Sequence, residues 1–119
     1  MTTALRCLAA AALTLATHAA FAHARVLEAS PRNGDVLATA PAELRLKFNE
    51  AVEMGFTSVK LLGPDGKDVA VGKPEAVGSE GNAIVLSLPA LASGAYKAQW
   101  AAVGHDGHRT KGEVAFSVK

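Results

Sequence analysis

Leu44-Arg45-Leu46-Lys47-Phe48 alternates apolar and cationic side chains with a period of two. In an extended chain that period sends Leu44, Leu46 and Phe48 to one face and the two cations to the other, the pattern of a strand buried on one side. The pattern recurs in both directions. Toward the amino terminus, Val26-Leu27-Glu28-Ala29 reads as a short strand ending at Ser30-Pro31. Toward the carboxyl terminus, Val59-Lys60-Leu61 runs into Gly63-Pro64-Asp65-Gly66, a strong turn signal, and Val69-Ala70-Val71 is the returning strand. Ile84-Val85-Leu86-Ser87-Leu88 is stopped by Pro89. Ser93-Gly94 turns the chain into Tyr96-Lys97-Ala98-Gln99-Trp100, whose alternate residues share a face, and Val114-Ala115-Phe116-Ser117-Val118 closes the chain.

These seven short strands, separated by turn signals, predict an all-β fold: a seven-stranded antiparallel sandwich of two sheets, Ig-like in architecture. Trp100 is the expected central aromatic of its core. No stretch after residue 22 carries a long helical period. Pro41-Ala42-Glu43 and residues 72–81 read as loops, the second with an edge strand around Ala76-Val77 as the alternative.

Residues 1–22 read as a cleaved secretory signal peptide. Arg6 supplies the positive start, Cys7 to Ala16 the short apolar run, and Ala20-Phe21-Ala22 the small-x-small site that places the cut before His23. Cys7 precedes the apolar run, whereas a lipidated Cys follows it. The mature domain is then 23–119, a single domain. Of the 12 Lys+Arg and 11 Asp+Glu in the chain, only Arg6 lies before His23, so the mature part is balanced in charge. That balance argues against nucleic-acid binding and against electrostatic attachment to membranes. The one Cys is Cys7, so disulfides, thiolate metal sites and cysteine nucleophiles are excluded from the mature part.

Cleavage before His23 would give that residue a free α-amine. The amine and the imidazole Nδ1 of one terminal His can close a single chelate ring, and their ordinary pKa values lie near neutrality, about 8 and 6.5. The second cluster is Gly104-His105-Asp106-Gly107-His108, between two strands. By itself an Asp-Gly-His loop is a turn: Asp caps, Gly takes positive φ, His is exposed. In an extended or bulged loop, however, Asp106 and His108 face the same way. Added to the His23 pair they make three nitrogens and one oxygen, a set suited to tetragonal Cu(II) and too hard for Cu(I). His105 reads as a solvent-exposed loop residue and Met54 as a filler.

The chain resembles the CopC family of periplasmic copper-resistance proteins. The resemblance rests on His23 after the cleavage site, Ser30-Pro31, Ala40-Pro41, Leu44 to Glu50, Gly94-Ala95-Tyr96-Lys97, Trp100-Ala101-Ala102-Val103, and above all Asp106-Gly107-His108 followed by Gly112 and Phe116-Ser117-Val118. It implies a Greek-key β-sandwich that binds one Cu(II) through His23, Asp106 and His108, and a membrane partner of the CopD type. It also implies an acidic residue near the copper at the end of the early strand. Glu50 holds that position, which reads equally as a solvated strand end. Two-site members carry a Met- and His-bearing loop for Cu(I); residues 63–81 have neither residue, so that site is expected to be missing. The function expected is a copper carrier or buffer without catalysis. The alternatives are a histidine-brace copper monooxygenase, opposed by the short chain and by Asp106 in the coordination plane, and a metal-free Ig-like interaction module.

Overall fold

The burial of alternate residues follows the sequence pattern directly. In a computed structural model that describes residues 23–119, Leu44, Leu46 and Phe48 are buried while Glu43, Arg45 and Lys47 are exposed. The signal-peptide reading of residues 1–22 lies outside the described residues. In chain order the strands are β1 Val26–Ser30, β2 Asp35–Leu37, β3 Glu43–Phe48, β4 Ser58–Leu62, β5 Asp68–Val69, β6 Glu75–Ala76, β7 Ala83–Ser87, β8 Gly94–Val103 and β9 Arg109–Val118. One sheet has the order β1-β3-β7-β6 and the other β2-β9-β8-β4-β5. The chain changes sheet between β1 and β2, β2 and β3, β3 and β4, β5 and β6, and β7 and β8, which is how a sandwich forms from strands that are neighbours in sequence. Among the described residues no helix is long and apolar enough to cross a membrane.

The all-β sandwich is therefore the one expected, with finer differences in its strands. Nine strands form among the described residues rather than seven. The unexpected β2 is three residues long and pairs in parallel with β9, Asp35 opposite Phe116 and Leu37 opposite Val118. With Val36 60% exposed, it has no buried alternation for a sequence reading to detect. The edge strand near Ala76 is real but starts one residue early, at Glu75. The return strand after the Gly63–Gly66 turn covers only Asp68–Val69.

The β8–β9 hairpin is the longest ladder, in register from Gly94 opposite Val118 to Val103 opposite Arg109. Its inward face carries Tyr96, Ala98, Trp100, Ala102, Val114, Phe116 and Val118, all buried. The Trp100 ring meets Phe48 of the opposite sheet edge-on, centroids 5.4 Å apart and planes at 77°. Aromatic pairs of this geometry contribute beyond the area they bury. The hairpin partner of Trp100 is Gly112, where a Cβ would lie 2.7 Å from the indole Cζ2, so the indole occupies the space that a side chain at position 112 would need. This packing makes the hairpin a rigid arm that carries the loop between β8 and β9 to one end of the sandwich.

Candidate metal centre

The loop at that end is a closed turn. The Gly107 N–H donates to the Gly104 carbonyl at 2.9 Å, and the Gly104 N–H donates to the His108 carbonyl at 3.0 Å. Gly107 has φ +83°, a value at which an L side chain is strained. Inside the turn Asp106 binds forward to its own loop. Its Oδ1 accepts the His108 backbone N–H at 3.0 Å, and its Oδ2 lies 2.9 Å from His108 Nδ1. The two side chains converge, then, because an Asx-type turn folds the carboxylate onto residue i+2, and the extended or bulged backbone expected from the sequence is not the cause. The loop is tied to the segment after β3: His105 N–H donates to the Ala51 carbonyl, and Glu53 N–H to the Val103 carbonyl.

The chain start reaches the same place through a polar clamp. The Asn49 side-chain oxygen accepts the Arg25 N–H at 2.7 Å, and its amide nitrogen donates to the His23 carbonyl at 3.2 Å. The Asn49 N–H donates to the Arg25 carbonyl. From the other side the Thr110 hydroxyl donates to the Ala24 carbonyl at 2.7 Å. The Ala24 methyl is itself buried in the core. Residues 23–25 are thereby pinned between the end of β3 and the start of β9.

As a result one ligand atom each from His23, Asp106 and His108 lies within 4.8 Å of the others. The His23 and His108 rings stand perpendicular, centroids 4.9 Å apart. Bond lengths of about 2.0–2.1 Å would hold two such atoms about 2.9 Å apart at right angles and about 4.2 Å apart in line, so the side chains would draw together to hold an ion. A hydrogen bond donated to Asp106 Oδ2 favours the His108 tautomer with its proton on Nδ1, leaving the Nε2 lone pair available. Hydrogen bonds from the His108 ring and backbone hold the Asp106 carboxyl below its usual range, with the charges of His108 and His23 adding to the effect against partial desolvation. Each carboxylate oxygen keeps a second lone pair available.

Glu50 is not the solvated strand end that its position allowed. Its Oε1 is inaccessible to solvent and has no hydrogen-bond partner. The carboxylate fills the space beside Gly104: a Cβ there would overlap it and would lie 3.1 Å from Asp106 Oδ1. Gly104 therefore serves close approach, while the positive-φ residue of the loop is Gly107. His105, as expected, is exposed, its side chain at 84%, with Nδ1 3.9 Å from Glu53 Oε1. It is not among the three converging residues. Asn49 and Thr110 were not singled out by sequence reasoning. Their partners are 24 to 86 residues away, and no local pattern announces them.

Together these features define a class: a small two-sheet β-sandwich presenting a His, Asp, His cluster at one end, with metal-ligand spacing. Comparison with known proteins makes the class specific. A family model described as the CopC domain matches residues 26–119, and the chain belongs to that family. It is 34% identical over 115 residues to Copper resistance protein C of Pseudomonas syringae pv. tomato, covering 92% of this chain and 90% of that one. It is 35% identical over 99 residues to Copper transport protein CutJ of Bacillus subtilis, covering 82% of this chain but spanning only 18% of the length of CutJ. The crystal structure of CopC from Methylosinus trichosporium OB3b superposes with a TM-score of 0.77 at 30% identity, covering 82% of this chain and 94% of that one. Copper resistance and copper transport are thus the functions for which these relatives are named.

Proposed function

We propose that this protein binds one Cu(II) ion per chain through His23, Asp106 and His108, and serves copper resistance or transport in the periplasm as a carrier or buffer. The observation that carries the reading is the convergence of those three side chains from opposite ends of the sequence. Removal of residues 1–22 as a signal peptide adds the His23 α-amine, giving three nitrogens and one oxygen, a donor set that tetragonal Cu(II) prefers. Glu50, its inaccessible oxygen beside Asp106, adds negative charge next to the cation and is a candidate weak ligand.

Cu(I) would require softer ligands. After residue 22 the one Met is Met54, half-buried against the core, so the proposal includes no Cu(I) site. With the equatorial plane filled by protein, copper is cargo, and no position is left for a substrate to be turned over. The length of CutJ beyond the matched region supports a role beside a larger transport machinery, and a CopD-type membrane protein is the proposed recipient.

The test is a Cu(II) titration of the protein beginning at His23. One equivalent is expected to bind tightly, and His23→Ala and His108→Ala to lose that binding. Unchanged binding in either variant would end the reading.

A further inference from the structure

We propose that Asn49 and Thr110 are positioning residues of the copper site, which set its affinity by holding the backbone of residues 23–25 in the binding geometry before the ion arrives. The inference rests on the copper reading given above. The ligating residue His23 begins the mature domain, and a chain end is ordinarily poorly ordered unless tied down. Fixing the backbone of a residue costs conformational entropy, so a loose terminal ligand would spend binding energy on ordering itself.

Here the ordering is built in. The Asn49 side chain binds both flanks of Ala24, accepting from the Arg25 N–H and donating to the His23 carbonyl. That pair of contacts also fixes which way its amide points. The Thr110 hydroxyl takes the remaining carbonyl, that of Ala24. Thr110 lies two residues after His108, at the second position of β9, and Asn49 lies one residue before Glu50. Both clamp residues thus belong to the same two segments that supply the rest of the site, and they fix His23 relative to its fellow ligands rather than merely to the fold. Neither residue is among the three whose ligand atoms converge.

The experiment uses the protein beginning at His23, with Cu(II) as probe in competition with a small chelator such as glycine. Asn49→Ala and Thr110→Val are each expected to weaken binding roughly tenfold and to speed copper dissociation. At saturation the electron paramagnetic resonance spectrum should equal that of the unaltered protein, because the ligands are unchanged. Thr110→Val keeps the side-chain shape and the preference for a strand, and Thr110→Ser, which restores the hydroxyl, is expected to recover the affinity. Wild-type affinity in both Asn49→Ala and Thr110→Val would overturn the inference while the copper reading stands. An altered spectrum at saturation would also overturn it, since these residues would then act on the ligand set itself. Failure of the unaltered protein to bind one Cu(II) would overturn the copper reading and this inference together.

Discussion

The two ends of the sandwich carry the same turn. Gly63-Pro64-Asp65-Gly66-Lys67 and Gly104-His105-Asp106-Gly107-His108 share the pattern Gly-x-Asp-Gly-x. In both, the second glycine donates to the carbonyl of the first at 2.9 Å. In both, the first glycine donates to the carbonyl of the fifth residue, and the Asp Oδ1 accepts the fifth residue's N–H at 3.0 Å. Gly66 has φ +78° and Gly107 φ +83°. The backbone chemistry is thus indifferent to function. What separates them is the fifth residue, Lys in one and His in the other, and what lies alongside: Val69 against Gly63, but the Glu50 carboxylate against Gly104. The bland reading of Asp-Gly-His as a mere turn is right about the shape. The candidate site is the turn plus what the distant segments at His23 and Glu50 bring to it.

The comparison can be broken at its main point of difference. His108→Lys converts the second turn to the chemistry of the first. It should fold with an unchanged backbone and lose Cu(II) affinity by roughly a hundredfold or more, since losing a direct ligand exceeds the cost of losing a supporting one. Competition titration checks the affinity and amide chemical shifts check the fold. Retention of tight binding would mean that the fifth residue is not what distinguishes the turns.

Smaller changes sharpen it. Gly104→Ala places a methyl group on the Glu50 carboxylate, whereas Gly63→Ala makes contacts no closer than 3.3 Å. The first should therefore weaken copper binding by roughly tenfold as the carboxylate is displaced, and the second should leave it unchanged. Glu50→Gln should weaken binding severalfold, about the lower end of supporting-residue effects, while raising the melting temperature of the metal-free protein. The rise follows from removing a charge that has an inaccessible, unpartnered oxygen. Calorimetry with and without copper separates the two effects. Finally, Gly66→Ala and Gly107→Ala should each cost about 1–2 kcal/mol of metal-free stability, and about equally, because the strain of positive φ is the same in both turns. Denaturant unfolding reads that difference.

The strands were legible because one face of each is buried, and burial writes a period of two into the sequence, as in Leu44, Leu46 and Phe48. Where burial is weak the pattern fades, so β2 and the bounds of β5 and β6 escaped. Within the site, the three converging side chains were legible as residue types. The physical cause of their convergence was not. Asp106 and His108 meet through a hydrogen-bonded turn rather than through strand alternation. The clamp of Asn49 and Thr110 on residues 23–25 was silent in the sequence, because a side chain bonding to distant backbone needs only a polar atom at the right point in space. The position of Glu50 was legible, but its loss of solvent was not: that depends on Gly104 leaving room for its carboxylate.

The proposed copper site joins a chelating chain end to the Asp-Gly-His turn. The most direct measurement is the Cu(II) electron paramagnetic resonance spectrum of the protein beginning at His23, set beside that of the same protein carrying one extra residue before His23. A tetragonal spectrum with coupling to nitrogen, replaced by a different spectrum and weaker binding when the extra residue is present, is the predicted result. Identical spectra and affinities in the two forms would contradict it, since the terminal amine would then have no part in holding the ion.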